Sequence, residues 1–326
     1  MKALVYDGPE TLGFRDVPDP SPAADEHLIR VDAVGICGSD MHAYLGHDDR
    51  RPAPLILGHE AAGVVAQGPR EGERVTINPL VSCGVCPFCK SGRENLCSAR
   101  QIISMPPREG AFAQYVSMPA QNLVTVPDDV PLSRAALAEP MAVSWHAARL
   151  GLESLHPSKT PNAIVIGGGA IGLGAALALK AMGVESVQVV EPNAARRAYL
   201  NDVCDVEALP QAEGLFALVV DAVGYAATRA VASALAKPGG VILHIGLAED
   251  TGGLDIRRLT LQEITFIGTY TYTAEDFRQT AQAIFDGDLG PLDWFATRPL
   301  ADGASAFYDL RHGKVATPKI VLEPWA

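Results

Sequence analysis

The stretch Ile164-Val-Ile-Gly167-Gly-Gly169-Ala-Ile-Gly172 decides how the second half of this chain is read. An apolar run ends in G-x-G-x-x-G, and a small-residue helical stretch follows, Ile171–Met182. In a strand–turn–helix setting these glycines have separate tasks: a tight turn, close backbone approach to a pyrophosphate, and helix–strand packing at Gly172. Gly167, Gly169, Ala170, Ile171 and Gly172 are therefore candidate cofactor-binding residues, with the positive helix end facing the phosphates. The next strand candidate, Ser186–Val190, runs into Glu191, nineteen residues beyond Gly172. A carboxylate there accepts hydrogen bonds from ribose hydroxyls and repels a 2′-phosphate, which favours NAD over NADP. Arg196 and Arg197 follow closely and are able to accept a phosphate, so NADP stays open as the lesser choice.

Outward from this motif, strand and helix patterns alternate. Ala163–Ile166, Ser186–Val190, Ala217–Asp221, Val241–Ile245 and Ile264–Ile267 read as strands. Ile171–Met182, Ala194–Val203, Ala226–Ala236 and Ala274–Phe285 read as helices, after a first helical stretch at Leu137–Leu150. Such alternation predicts an α/β fold with a doubly wound parallel sheet. Upstream, short strands dominate: Met1–Tyr6, His27–Val34 with its alternating faces, Ala61–Ala66 and Arg74–Ile77. The tail from Pro291 returns to strand-like pieces ending at Lys319–Leu322. The expected organisation is a mainly β domain over 1–138 and 286–326 and a dinucleotide-binding domain over 139–285.

Composition excludes several functions. The chain has 326 residues, 48% hydrophobic and 20% charged, with a formal charge of −12. That balance repels nucleic-acid backbones and lacks a basic footprint. The longest apolar stretches are broken by glycines and fall short of the about 20 residues a membrane span needs. No N-terminal segment has the order of a signal peptide, and a cytoplasmic protein is expected.

The cysteines point to metal. Four of six fall in one short stretch: Cys83, Cys86, Cys89 and Cys97. Four thiolates closing on one ion make a structural zinc site with no open position for a substrate. An iron–sulfur cluster competes for the same ligands. A second set is dispersed through Gly35-Ile-Cys37-Gly-Ser39-Asp40-Met-His42, Gly58-His59-Glu60 and Ala138-Glu139-Pro140. Cysteine, histidine and carboxylate together supply three mixed ligands and leave one position free, as a catalytic zinc requires. Cys37 and His59 are candidate ligands, with Glu60 and Glu139 both open as the carboxylate.

These motifs, in this order and over essentially the whole chain, resemble the zinc-dependent medium-chain dehydrogenases. Glu139 at the third-ligand position makes the chain similar to the sorbitol, threonine and butanediol dehydrogenase branch, as does Met105–Gly110. Two segments, Gly63–Val75 and Leu200–Phe216, are shorter than in the family. The resemblance implies a GroES-like catalytic domain, a Rossmann domain, two zincs per chain, and a homodimer or homotetramer. It implies Cys37, His59 and Glu60 as the catalytic-zinc ligands, with Glu139 as the alternate ligand or a hydrogen-bond partner behind the metal. It implies a small alcohol or polyol substrate whose hydroxyl is acidified by zinc, with hydride passing to the nicotinamide. Ser39 would accept the hydroxyl proton and His42 would pass it to solvent. Tyr44, Ile103, Phe112 and Tyr270 are offered as pocket walls by the same analogy. A non-catalytic dinucleotide- and zinc-binding relative, and an NADP-preferring alcohol dehydrogenase or ketone reductase, are the alternatives.

Overall fold

The computed structural model describes all residues, Met1–Ala326. The chain divides into two compact units. One comprises Met1–Pro140, Thr273–Asp288 and Phe295–Ala326; the other comprises Met141–Tyr272 and Leu289–Trp294.

In the second unit, six parallel strands lie in the order Glu207–Leu209, Ser186–Val190, Asn162–Ile166, Phe216–Asp221, Ala236–His244, Thr265–Gly268. The chain starts at Asn162–Ile166, builds outward on one side, then returns to build the other. The reversal creates the switch point at the carboxyl ends of Asn162–Ile166 and Phe216–Asp221, where open α/β sheets bind ligands. Every residue of Phe216–Asp221 is buried, as a central strand covered on both faces requires. Sequence reading finds five of these strands. It misses Glu207–Leu209, a three-residue edge strand that buries only Ala208.

The glycines of the fingerprint differ in what they make possible. Gly167 has φ +98°, a left-handed conformation that side chains disfavour. A Cβ on Gly172 would stand 1.8 Å from the Gly167 carbonyl oxygen, so helix Ala170–Ala181 can sit on the turn only with glycine there. A Cβ on Gly169 meets nothing within 4 Å. Its neighbourhood is an open cradle.

The first unit is mainly β. Its larger sheet runs Leu123–Thr125, Arg74–Ile77, Glu60–Gln67, Glu26–Gly35, Lys319–Glu323, Phe295–Pro299, with Tyr115–Pro119 also paired to Glu26–Gly35. A smaller sheet joins Lys2–Gly8 to Thr11–Asp16 and Leu55–Ile56. The core between them includes Leu4, Ile29, Val31, Phe112, Met118, Phe307 and Leu322.

Two segments differ from the sequence expectation: Leu289–Trp294, expected in the β domain, lies in the second unit, and one helix moves the other way. Helix Ala274–Asp286 follows a parallel strand and so reads as one more crossover of the dinucleotide-binding domain. It belongs instead to the first unit, where it packs on the short helix Leu132–Ala135. Phe277, Thr280, Ala281 and Ile284 form its buried face. Thr273 and Asp276 cap its start reciprocally.

Gly172→Ala should destabilise the second unit by about 1–3 kcal/mol, the usual cost of forcing an atom into packed space. Gly169→Ala should leave stability unchanged. Denaturant titration of both variants reads the difference.

Candidate active site

Strand pairing assembles the dispersed metal ligands. The register sets Gly35 opposite Glu60 in antiparallel strands. Cys37 lies just past the end of one strand, and His59 just before the start of the other, so the two are brought together. The ligand atoms of Cys37, His59 and Glu60 all lie within 4.8 Å of one another. Gly35 is required for this closeness, because a Cβ there would stand 2.0 Å from Glu60 Oε2. Glu139 is buried in the first turn of helix Ala138–Ser154 and stands outside that set.

The surroundings favour a cation. Burial lowers the His59 pKa, but Asp40 and Cys37 outweigh it and push the ring well above its ordinary value. Lys319 behaves alike: burial works against its charge, yet Glu60 and Cys37 raise its pKa. A mixed sulfur, nitrogen and oxygen set in so negative a pocket fits zinc.

The four-cysteine lobe closes on a second centre. Cys83, Cys86, Cys89 and Cys97 place their sulfurs within 4.8 Å of one another. Cys86 and Cys89 sulfurs are 3.5 Å apart, and Cys83 and Cys89 sulfurs 3.9 Å. A tetrahedron with Zn–S of about 2.3 Å has an edge of about 3.8 Å. The spacing suits one ion and is too tight for cysteines riding on separate irons of a cluster. Backbone N–H groups of Val85 and Cys86 lower the Cys83 thiol to about 6, while burial raises Cys89 to about 11. Val85, Phe88 and Leu96 point outward, so the lobe has no apolar core of its own.

In the second unit, the Gly168 N–H donates to Glu191 Oε2 at 3.1 Å, and the Asn193 N–H donates to Oε1 at 2.8 Å. These bonds hold the Glu191 carboxylate against the glycine loop. Arg196 Nη1 is 3.6 Å from the same carboxylate, and its buried Nε has no partner. The open cradle at Gly169, with this carboxylate beside it, fits a dinucleotide.

Comparison with known proteins agrees with both halves. Residues 23–128 match the alcohol dehydrogenase GroES-like domain, and residues 170–286 match the zinc-binding dehydrogenase domain. L-galactonate-5-dehydrogenase of Escherichia coli is 32% identical over 308 residues, covering 89% of this chain and 88% of its own. The chain belongs to the zinc-dependent medium-chain alcohol dehydrogenases. Sorbitol dehydrogenase of Bacillus subtilis is 40% identical over 200 residues, 59% of this chain and 56% of that one. The NADH complex of an alcohol dehydrogenase from Escherichia coli superposes with a TM-score of 0.89 at 26% identity, covering 99% of each chain. As a member, this dehydrogenase is an oxidoreductase of CH–OH donors that uses zinc and NAD(P).

Three residues around the ligands of this dehydrogenase escape sequence reading. Asp40 has no exposed surface; it accepts the Cys37 N–H at 3.0 Å and the Gly58 N–H at 3.2 Å, and its Oδ1 is 3.4 Å from His59 Nδ1. Burial would raise its pKa, but His59, Arg51 and the Cys37 N–H outweigh burial and hold it below the ordinary value. A carboxylate on Nδ1 fixes the tautomer and leaves Nε2 to the metal. Ser104 Oγ approaches the same Nδ1 at 3.4 Å. Lys319 donates to both Glu60 oxygens, at 2.6 and 2.7 Å, and to the Ile36 carbonyl at 3.1 Å. All three of its N–H groups are used.

Of the expected relay, Ser39 Oγ lies 3.5 Å from His59 Nε2, and His42 is exposed in the last turn of helix Gly38–Tyr44. For Tyr44, Ile103 and Phe112 the pocket-wall expectation needs correction. They belong to the core of the first unit, where Phe307 packs tilted against Tyr44 and edge-to-face against Phe112. Their bulk fills interior space, as aromatics do most often.

Asp40→Asn should cost about 10–100-fold in metal affinity or turnover. Chelator competition and steady-state kinetics on the zinc-loaded protein measure both.

Proposed function

We propose that this dehydrogenase oxidises a secondary hydroxyl of a polyol-like substrate with NAD, at a zinc held by Cys37, His59 and Glu60. The observation carrying this reading is the closed set of those three ligand atoms, with Ser39 Oγ 3.5 Å from His59 Nε2. When bound, zinc supplies a Lewis acid that acidifies the hydroxyl, and NAD supplies the hydride acceptor. Ser39 takes the hydroxyl proton, and His42, exposed to solvent, carries it away. Asp40 holds His59 in the ligating tautomer, and Lys319 fixes the Glu60 oxygens. Glu139 acts from behind the ligand set, close enough that its charge helps raise the Lys319 pKa.

NAD is favoured by Glu191, whose buried carboxylate stands where a 2′-phosphate would meet like charge. Arg196 beside it is the residue that an NADP preference would enlist. The relatives that act on L-galactonate and sorbitol support a polyol or its acid as substrate class. Cysteines grouped as metal ligands rather than disulfides favour a reducing compartment such as the cytoplasm. No helix is long and apolar enough to cross a membrane.

We also propose a homodimer formed through the edge strand Thr265–Gly268. It leaves one side of the parallel sheet unpaired, and Leu247, Ile256 and Leu261 nearby in sequence expose 79%, 63% and 65% of their surface. Light scattering should return twice the 34.4 kDa chain mass, and Ile256→Asp should halve it.

Turnover of an alcohol, polyol and hydroxy-acid panel with NAD and NADP, alongside metal analysis, tests the central reading. Two zincs per chain and faster NAD reduction are expected, with Glu191→Ala narrowing the NAD:NADP ratio at least tenfold. A wild type holding a single zinc, or one inert toward the whole panel, refutes it. Glu60→Ala retaining two zincs would hand the third position to Glu139.

A further inference from the structure

Arg51 is an arginine with only 3% of its surface exposed, outside every motif that marks the site. It precedes strand Leu55–Ile56 in a segment where Asp48 and Arg50 are also charged. Its Nη1 bonds Asp48 Oδ2 at 2.6 Å, which pairs the charge. Its other contacts reach two separate segments of the active site. Nε donates to the Ser104 carbonyl at 3.0 Å, and Nη1 approaches the Ser39 carbonyl at 3.4 Å. The same two serines stand at opposite nitrogens of one ring: Ser39 Oγ 3.5 Å from His59 Nε2, and Ser104 Oγ 3.4 Å from His59 Nδ1. Ser104 is fully buried and has φ +70°, a conformation that its surroundings must impose.

We propose that Arg51 is a positioning residue for the zinc centre: its planar guanidinium holds Ser39 and Ser104 at a fixed separation across the His59 ring. The proposal rests on the zinc reading of Cys37, His59 and Glu60 given above. A buried guanidinium is suited to this because its donors are rigidly spaced, whereas a lysine offers one compact charge on a flexible stem. Both contacts to the serines go to backbone carbonyls, so the serine hydroxyls remain available to the ring and to a substrate proton. Arg50 shares Asp48 but is mostly exposed, and it serves as the internal control.

The test uses the zinc-loaded full chain and the variants Arg51→Met, Arg51→Lys and Arg50→Met. Zinc release to a chromogenic chelator separates the two centres into two phases. For Arg51→Met, the catalytic-zinc phase should speed up at least tenfold while the four-cysteine phase stays unchanged. Its kcat should fall about 10–100-fold, the range for supporting contacts around a metal, with KM for alcohol and NAD within about threefold. Arg51→Lys should fall between Met and wild type, and Arg50→Met should match wild type. Wild-type release and kcat in Arg51→Met overturn the proposal. So does equal acceleration of both phases with a lowered unfolding temperature, the mark of a general packing role. Should Arg51→Met fail to fold, Arg51→Lys decides alone, and wild-type behaviour in it is fatal. Failure of the underlying zinc reading shows separately, as a wild type with one zinc or no turnover.

Discussion

The carboxylate of Asp40 holds together the segments on which the active site depends. Removing a carboxylate from water costs several kcal/mol unless its oxygens are satisfied. Here one oxygen takes the Cys37 N–H, and the other takes the Gly58 N–H and faces His59. Two loops and one ring thus converge on a single buried charge. Without it, Cys37 would sit at the start of one helix and His59 at the start of one strand, with only sheet register relating them. Lys319 does the equivalent for Glu60, from the far end of the chain. Around the Cys37 ligand set, every ligand is held by a second group that the metal itself does not touch.

How much of this was legible in the sequence follows from the range of each interaction. The glycine fingerprint and the four cysteines are local: their spacing determines their geometry, and both could be read directly. The six-stranded sheet was nearly complete on the same basis, save for an edge strand too short to show a pattern. Asp40 lies three residues from Cys37, within the same local motif. Its role is not legible there, because a single acidic residue has no signature until its partners are placed. Lys319 and Arg51 were invisible for a stronger reason, since their partners lie 259 and 53 residues away. Only strand register and loop packing bring such residues together.

Where structure departs from sequence pattern, the reason is again physical. Helix Ala274–Asp286 has the amphipathic pattern of a crossover helix and follows a parallel strand, yet it packs within the first unit. Its buried face answers to Leu132–Ala135, on the other side of the chain's long insertion. Likewise Tyr44 and Phe112 have the chemistry of pocket walls, but Phe307 occupies the space between them and makes them core. Residue type alone does not say which side of a sheet a ring will face.

The ion pair between Glu60 and Lys319 has a consequence for the making of the protein. A ribosome adding roughly 5–20 residues per second leaves Glu60 without its cation for roughly 13 to 52 s, the time needed to synthesise the intervening stretch. During that interval the whole continuous stretch Met141–Tyr272 emerges and can collapse around its own sheet. The unit that carries the zinc ligands is discontinuous, so its segments flank that stretch in the chain. Its charge balance is completed only once strand Lys319–Glu323 has been made, so the pocket around Glu60 is readied for metal after the intervening unit is synthesised.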